Sequence, residues 1–272
     1  MTDPVLRIER DGDVCIAVFN EPKRLNPLSV ALQQALLDLC RRLADPQDTL
    51  HTVRCLVLTG AGKAFCVGAD LDAMQAPADP ADTLGAQTAH IMRTLTNEVV
   101  LALRALPQPV LSVVNGPCAG AGVGLALSAD LVLIGRGAYF YMPFMPRLGI
   151  VPDMGATWFL ERFCGSSRAL AMTLLGDRIA GPQAVQAGLA HACHDEAALH
   201  DEALALARRL ARLPAHAALE TRRAFDAARR HTLAEQLAFE AQRQHELIDR
   251  PTFGEGVRAF VEKREPDFKD LA

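Results

Sequence analysis

The sequence predicts an α/β fold in which a strand-and-helix core is followed by an all-helical C-terminal region. Two observations lead to this prediction. Apolar runs of strand length alternate with helical patterns as far as about residue 194, as in α/β cores. From Glu196 onward the strand signals stop, and apolar residues recur only at helical spacing. We therefore expect a core over residues 1–195 and a helical region over residues 196–272.

The N-terminal elements are predicted to be a β-hairpin and an amphipathic helix. Residues 5–10 and 14–19 are strand-like runs that flank an Asp-Gly-Asp turn. Asn26 followed by Pro27 is a typical helix start, with a capping side chain and proline at the first helical position. Leucines then follow at helical spacing, at Leu28, Leu32, Leu36, Leu39 and Leu43.

The rest of the core is predicted from the same signals. A segment rich in Pro, Ala, Asp and Thr over residues 75–88 is interpreted as a mobile loop. Strands are expected at 53–59, 110–115, 131–134 and 139–142, and helices over 89–105, from near Gly120 and from near Gly155. In the C-terminal region one apolar stripe must bury itself against the core or against another subunit, and it comprises Leu199, Ala203, Leu206, Leu210 and Leu213.

Composition and charge exclude several classes of protein. The 28 basic and 32 acidic residues give a net charge of −4, so no basic excess is available to bind nucleic acid. The apolar stretch at 109–134 contains Asn115, Pro117 and Asp130, so no membrane span is expected. The seven cysteines include no CxxC pair, and the N-terminus does not resemble a signal peptide. These observations favour a cytoplasmic protein with reduced thiols.

The most informative segment is residues 109–130, in which a buried strand leads into a glycine-rich turn and a helix of small residues. The N–H groups at the start of a helix favour negative charge, either a phosphate or an oxyanion that forms during a reaction. The loop at 64–71 also follows a buried strand and contains small residues. Two such loops can each direct one N–H at a shared atom, although glycines that serve only strand–helix packing remain an alternative.

Other chemical motifs are weak. The segment Gly-Ala-Gly-Lys at 60–63 is not a phosphate-binding P-loop, because alanine follows the lysine and the upstream glycine spacing is absent. The glycine-rich turn at 120–124 does not have the spacing of a dinucleotide-binding motif. His191 and His194 have no further ligands near them in sequence, so we expect no metal site. Cys66 and Cys118 flank the two loops without an accompanying base, which argues against nucleophilic catalysis.

Four segments together resemble the crotonase, or enoyl-CoA hydratase/isomerase, superfamily. They read FCVGADL, PQPVLSVVNGPCAGAGVGLALSADL, RLGIVPDMGATWFLERFCG and LLGDRIAGPQAVQAGLA, and AFVEKREPDFKD is similar to the closing helix of that family. The resemblance extends over residues 5–270 and is nearest to the ring-epoxide-opening phenylacetyl-CoA isomerases. It implies a spiral core of repeated ββα units that carries the active site, with a helical region that covers it and joins subunits into trimers or hexamers.

The resemblance assigns the residues that handle the thioester. The oxyanion-hole amides of the family fall on Ala69 and Ala121. The two glutamates that activate water in hydratases fall on Gly124 and Met145, neither of which can move a proton. The carboxylate of several isomerases falls on Asp153. Residue type alone is equally compatible with Asp153 as a helix cap, whereas the resemblance favours a base whose pKa is raised by apolar neighbours.

The resemblance also implies further contacts to substrate. Asn97 falls where related enzymes face the acyl pocket, and it is either a positioning group or a solvated helix residue. Phe144, Met145 and Trp158 are candidates for the pocket wall or for ordinary core. The expected CoA-binding residues, each with a plain surface or packing alternative, are Lys23, Arg24, Cys66, Val67, Gly68, Asp70 and Leu71, with Phe260 and Lys263 often supplied by a neighbouring subunit.

Taken together, the residues and the resemblance favour an acyl-CoA isomerase that uses enolate chemistry, either a double-bond shift or a ring-epoxide isomerisation. CoA is part of the thioester substrate, so the implied reaction needs no cofactor. The alternatives are an enoyl-CoA hydratase with a second carboxylate off the family position, such as Asp72 or Glu98, and a catalytically silent acyl-CoA-binding protein. An RNA-associated role, known for some relatives, is disfavoured by the acidic net charge.

Overall fold

Two β-sheets form the framework of the core. The structure is a computed structural model that describes residues 3–74, 82–269 and 271. The strands of these residues are β1 (Leu6–Asp11), β2 (Val14–Phe19), β3 (Cys55–Gly60), β4 (Val110–Val114), β5 (Pro117–Ala119), β6 (Leu131–Gly135), β7 (Tyr139–Tyr141), β8 (Ile179–Ala180) and β9 (Ala192–His194).

Helices surround the sheets and make up the C-terminal part of the chain. Within the described residues they are α1 (Val30–Ala44), α2 (Leu84–Ile91), α3 (Asn97–Ala105), α4 (Ala121–Leu127), α5 (Ala156–Cys164), α6 (Ser166–Leu175), α7 (Gly181–Gln186), α8 (Glu196–Ala211), α9 (Ala215–Ala228), α10 (Leu233–Ile248) and α11 (Pro251–Glu262).

The larger sheet has the strand order β1-β2-β3-β4-β6-β9, and the smaller has the order β5-β7-β8. In the larger sheet β1 pairs with β2 antiparallel, and all later neighbours are parallel. The chain alternates between the sheets: β4 is followed by β5 and α4, and β6 by β7 and then α5. The core is therefore a spiral of ββα units, and the carboxyl ends of its parallel strands lie at one edge, where loops can meet.

Several predictions from the sequence are confirmed. The hairpin forms with Leu6 opposite Phe19 and Asp11 opposite Val14. The predicted strand before the glycine-rich turn is β4, every residue of which is buried. The predicted helical C-terminal region is present as α8 to α11, and a capping box of Thr232 and Glu235 opens α10. These elements carry strong local signals, namely a short turn, an unbroken apolar run and a matched cap.

The predicted start of the first helix is wrong. Helix α1 begins at Val30, and the Ser29 side chain accepts a hydrogen bond from the Leu32 amide. Asn26 has a positive φ of 57°, and it is fully buried. Its side-chain amide donates to the carbonyl oxygens of Ala61 and Ala64, so it joins two loops instead of capping a helix.

The prediction of a loop over 75–88 is wrong for its last residues. Helix α2 begins at Leu84, and Thr83 caps it by accepting a hydrogen bond from the Ala86 amide. Residues 75–81 of that prediction lie outside the described residues. The helix predicted over 89–105 is present as α2 and α3, but a π-helical turn at Met92–Thr96 separates the two.

Helix α8 packs on the larger sheet of its own chain. Its buried residues Leu199 and Ala203 form one apolar cluster with Val57, Leu111 and Leu133 of the sheet. The apolar stripe of the sequence is thus directed at the core, although Leu213 at its end is exposed. Across the part of the chain that the structure describes, no helix is both long enough and apolar enough to cross a membrane.

Candidate active site

Two loops approach each other at the carboxyl edge of the larger sheet. The segment after β3 runs beside β5, with the Phe65 amide 3.1 Å from the Pro117 carbonyl oxygen and the Ala119 amide 2.9 Å from that of Cys66. Gly68 has a φ of 90°, and a β-carbon there would lie 2.9 Å from the Ala119 carbonyl oxygen. A side chain at position 68 would therefore separate the loops, which explains why glycine is needed there.

Hydrogen bonds orient one amide of each loop. The Leu28 amide donates to the Gly68 carbonyl oxygen at 2.7 Å, and the Val123 amide donates to that of Gly120 at 2.9 Å. Because a trans peptide directs its C=O and N–H to opposite sides, the N–H groups of Ala69 and Ala121 point away from these anchors. Neither N–H donates a hydrogen bond to another described residue. Two preorganised donors of this kind stabilise a developing oxyanion.

Ala69 and Ala121 line one cavity of about 360 Å³ together with Asp153. The cavity also borders the start of α1, the inner side of α2 and the π-helical turn. Most of these wall residues are apolar, and they include Leu28, Met74, Leu84, Ile91 and Met92. An apolar chamber with a few convergent polar groups is the usual form of a small-molecule site.

Asp153 supplies one carboxylate of this cavity. Its Oδ1 is buried and has no hydrogen-bond partner among the described residues. Burial raises the pKa of Asp153 from 3.8 to about 6. The capping alternative is not realised, because Gly155 is the N-cap of α5 and no side chain caps that helix. A half-buried carboxylate with a pKa near neutrality is suited to accept and return a proton.

A second carboxylate, Asp70, lines the same cavity but is already paired. The Arg24 guanidinium lies 2.6 Å from Asp70 Oδ1, and this hydrogen bond lowers the pKa of Asp70. Asp72 and Glu98 are exposed, and neither borders the cavity. Among the described residues of the cavity wall, Asp153 is thus the one carboxylate without an ion-pair partner.

The two positions of the hydratase glutamates offer no acid or base. A β-carbon at Gly124 would lie 2.5 Å from the Met154 carbonyl oxygen, so the turn that carries Asp153 packs directly on this glycine. Met145 is exposed and does not border the cavity. The space that a side chain at position 124 would need is therefore filled by backbone.

Asn97 does not reach the cavity in this chain. It is the exposed first residue of α3, whereas the preceding Thr96 is buried and borders the cavity. A π-helical turn contains one residue more than an α-helical turn, which rotates the following residues by about 100° around the helix. Gln33, which sequence reasoning did not identify, also borders the cavity and accepts a hydrogen bond from the Thr96 hydroxyl.

The residues expected to bind CoA fall into two groups. Of the first group only Asp70 borders the cavity, and it is ion-paired with Arg24. Lys23 and Leu71 are the exposed sequence neighbours of this pair, and Cys66, Val67 and Gly68 belong to the loop that leads to Ala69. Phe260 and Lys263 lie apart from the cavity, on α11 and directly after it. Phe260 is 85% exposed and borders a separate apolar groove with Phe253 and Val257. The structure of one chain does not bring this second group to the cavity.

The remaining candidate residues from the sequence have surroundings that indicate a packing role. Trp158 stacks against the Arg162 guanidinium at 3.8 Å and borders a different groove, and Phe144 is buried. Burial raises the pKa of Cys66 to about 12 and also raises that of Cys118, so neither thiol is a ready nucleophile. Within residues 3–74, 82–269 and 271, no cluster of three or more His, Cys, Asp or Glu side chains could hold a metal ion.

The spiral α/β core, with one cavity lined by Ala69, Ala121 and Asp153, agrees with the crotonase-type fold expected from the sequence. Residues 9–271 match the family model described as enoyl-CoA hydratase/isomerase, and the chain belongs to that family. Its α/β core with a helical C-terminal region is accordingly a crotonase fold.

Among its relatives is 1,2-epoxyphenylacetyl-CoA isomerase of Escherichia coli strain K12, 38% identical over 94% of both chains. The 2,3-dehydroadipyl-CoA hydratase of the same organism is 34% identical over 97% of this chain and 98% of the relative. The crystal structure of an enoyl-CoA hydratase from Bacillus anthracis matches with a TM-score of 0.87 and 28% identity, covering 97% of this chain and 99% of the other. Relatives named as isomerases and relatives named as hydratases are similarly identical in sequence to this chain. Sequence identity therefore does not distinguish the two reactions, and the residues of the site have to decide between them.

Proposed function

We propose that this protein is an acyl-CoA isomerase that forms an enolate from a CoA thioester and uses Asp153 to move the proton. The amides of Ala69 and Ala121 would bind the thioester carbonyl oxygen and stabilise the negative charge that develops on it. Asp153 would remove a proton from the α-carbon and return it elsewhere on the acyl group. The outcome is a double-bond shift or, for a ring epoxide, opening or rearrangement of the ring.

The observation that carries the proposal is that Asp153 is the one unpaired carboxylate among the described residues of the cavity wall. Asp153 is half-buried with a raised pKa, and Asp70, the other carboxylate of that wall, is ion-paired with Arg24. Addition of water needs a second group to hold and activate that water, whereas a proton shift can be carried out by one carboxylate. The packing of Met154 against Gly124 supports the same choice, because it leaves no space for a hydratase glutamate.

The test combines isotope exchange with product analysis. In D₂O, the enzyme is expected to exchange the α-protons of saturated acyl-CoA esters, and Asp153→Asn should abolish exchange while acyl-CoA binding is retained. Aromatic-epoxide, 3-enoyl and 2-enoyl CoA esters are then assayed in ¹⁸O-labelled water. An isomer without added oxygen supports the proposal. Incorporation of ¹⁸O would identify a hydratase, and tight binding without any exchange would identify a silent binding protein.

We further propose that residues 1–195 form the catalytic unit and that the helices of residues 196–272 join subunits into a trimer or hexamer. Support comes from the exposed apolar side chains on α11, where Val261 and Phe260 are 74% and 85% exposed. Contact with a neighbouring subunit would cover them and would bring Phe260 and Lys263 to the CoA of that subunit. Light scattering should give a trimeric or hexameric mass, and Phe260→Asp should shift it toward the monomer.

A further inference from the structure

A chain of hydrogen bonds connects the π-helical turn to the peptide that carries the Ala69 amide. The Thr96 hydroxyl donates to Gln33 Oε1 at 2.6 Å. Gln33 Nε2 donates to the Leu28 carbonyl oxygen at 3.0 Å. The Leu28 amide in turn donates to the carbonyl oxygen of Gly68 at 2.7 Å. The chain ends on the peptide unit between Gly68 and Ala69.

Each link of this chain is shielded from water. Leu28 is 3% exposed, and Gln33 and Thr96 are each 6% exposed. Buried hydrogen bonds are costly to break, because the groups left behind have no water to replace the lost partner. The position of Leu28 is therefore set by Gln33 on one side and by the Gly68 carbonyl oxygen on the other.

The π-helical turn provides a reason for the unusual placement of Thr96. A threonine hydroxyl in a helix commonly bonds to the carbonyl oxygen four residues earlier, and Thr94 of the same turn does so with His90 at 2.9 Å. Thr96 instead directs its hydroxyl to Gln33 on a different helix. Such wide turns are frequent at functional sites, and this one borders the cavity through Met92 and Thr96.

We propose that Gln33 and Thr96 are positioning residues of the oxyanion hole, which fix the direction of the Ala69 N–H through Leu28. This rests on the proposed function, since it assigns a role to the same pair of amides. Oxyanion stabilisation depends steeply on donor position, and a displacement of about 1 Å can cost about a hundredfold in rate. Loss of Gln33 removes its hydrogen bond from the Leu28 carbonyl oxygen and loosens the parallel bridge between Leu28 and Ala69 that holds the Gly68–Ala69 peptide.

The decisive measurement reads the polarisation of the bound carbonyl directly. Infrared difference spectra of butanoyl-CoA labelled with ¹³C at the thioester carbonyl should show a shift to lower frequency in the wild-type complex. Gln33→Met should reduce that shift and lower kcat for α-proton exchange by about tenfold to a hundredfold, with KM changed by less than about threefold. Thr96→Val should act in the same direction, and Thr96→Ser, which keeps the hydroxyl, should restore both readouts.

Two matched controls separate positioning from general loss of stability. Gln108 is 3% exposed, and its amide donates to the Leu43 carbonyl oxygen at 3.1 Å away from the cavity. Gln108→Met thus removes an equally buried glutamine and should lower stability without changing the carbonyl shift. Thr94→Val makes the same substitution at an exposed position of the same turn and should leave activity unchanged.

The outcomes are distinct. A full carbonyl shift in Gln33→Met, or a loss confined to KM, would overturn the positioning role, and the second result would indicate that the pair contacts substrate instead. Should Gln33→Met not fold, the comparison of Thr96→Val with Thr96→Ser provides the same test. Absence of a carbonyl shift in the wild-type complex would contradict the proposed function itself.

Discussion

The backbone of Gly124 in α4 packs directly against Met154, the residue after Asp153. The turn that carries Asp153 can lie this close to α4 only because position 124 has no side chain. A β-carbon at position 124 would lie 2.5 Å from the Met154 carbonyl oxygen and 2.6 Å from its β-carbon. Met154 also has a positive φ of 50°, which is unusual for a residue other than glycine. The contact and the backbone conformation together hold Asp153 at the cavity.

Gly124→Ala should displace this turn. The substitution forces a methyl group against backbone atoms that cannot rotate away, so we expect a loss of about 1–3 kcal/mol in the free energy of unfolding together with slower α-proton exchange. Gly254 of α11 is the matched control, since a β-carbon there meets only the flexible Arg258 side chain at 3.6 Å. Gly254→Ala should be neutral or stabilising, by up to about 1 kcal/mol. Urea unfolding and exchange assays of both variants test this.

The pH dependence of exchange should follow the titration of Asp153. Burial raises the pKa of Asp153 to about 6, and only the deprotonated form can act as the base. The exchange rate constant kcat/KM should therefore rise with pH through about 6 and reach a plateau above about pH 7. Asp153→Asn should remove both the activity and this inflection. A profile that is flat between pH 5 and 7 would be inconsistent with Asp153 as the base.

The raised pKa also means that ionised Asp153 lowers the free energy of unfolding at neutral pH. Its pKa is raised in the folded state, so the stabilisation associated with the protonated group is complete below the unfolded value of 3.8 and is lost as pH rises through about 6. Asp153→Asn should thus equal the wild type below about pH 3 and exceed it by about 3 kcal/mol at pH 8. Asp177→Asn, at an exposed position, should show no comparable gain in urea unfolding at either pH.

Arg222 should be the most costly arginine to remove from the C-terminal region. It is 8% exposed, its Nε and Nη2 lie 2.6 and 2.7 Å from the two Asp130 carboxylate oxygens, and its Nη1 lies 2.8 Å from the Leu106 carbonyl oxygen. Arg222→Met should cost about 3–5 kcal/mol. It leaves the carbonyl oxygen of Leu106 without this donor, and it leaves the partly buried Asp130 carboxylate with only the Val110 amide and the more distant Arg104. The adjacent exposed Arg223, paired with Glu220, is the control, and Arg223→Met should cost less than about 1 kcal/mol by urea unfolding.

Lys23 provides a test of the CoA end of the site. If this exposed lysine contacts the nucleotide phosphates, Lys23→Met should raise KM for an acyl-CoA about fivefold, as expected for one exposed charge pair of about 1 kcal/mol. KM for the matching acyl-pantetheine, which lacks the nucleotide, should not change. Lys63→Met removes another exposed lysine and should affect neither substrate. Equal effects on both thioesters would contradict the assignment.

The parts of the fold that could be predicted from sequence are those with local signals. The strand β4 is an almost unbroken apolar run, which predicts a buried strand. The glycines that follow it indicate that another backbone segment approaches closely, and this can be inferred without knowing the rest of the fold. Asn26 shows the opposite case. Its identity matches a helix cap, but its conformation is decided by the carbonyl oxygens of Ala61 and Ala64, which are distant in sequence.

The candidate site divides in the same way. Ala69, Ala121 and Asp153 follow a recognisable pattern of residues, and the structure brings them to one cavity. The placement of Thr96 in place of Asn97 depends on the π-helical turn, which is a change in backbone hydrogen bonding that leaves the apolar periodicity almost intact. Gln33 resembles an ordinary polar residue on a helix until its partners on other elements are known.

The strand order of the larger sheet has a consequence for synthesis of the protein in the cell. From β2 to β9, each strand of this sheet pairs with the one made before it, so the nascent chain can extend the sheet as it leaves the ribosome. Helix α8 covers Val57, Leu111 and Leu133 on one face, and it emerges only after the last of these strands. We therefore expect ribosome-bound chains that stop before Glu196 to recruit chaperones and those that extend beyond Ala211 to release them.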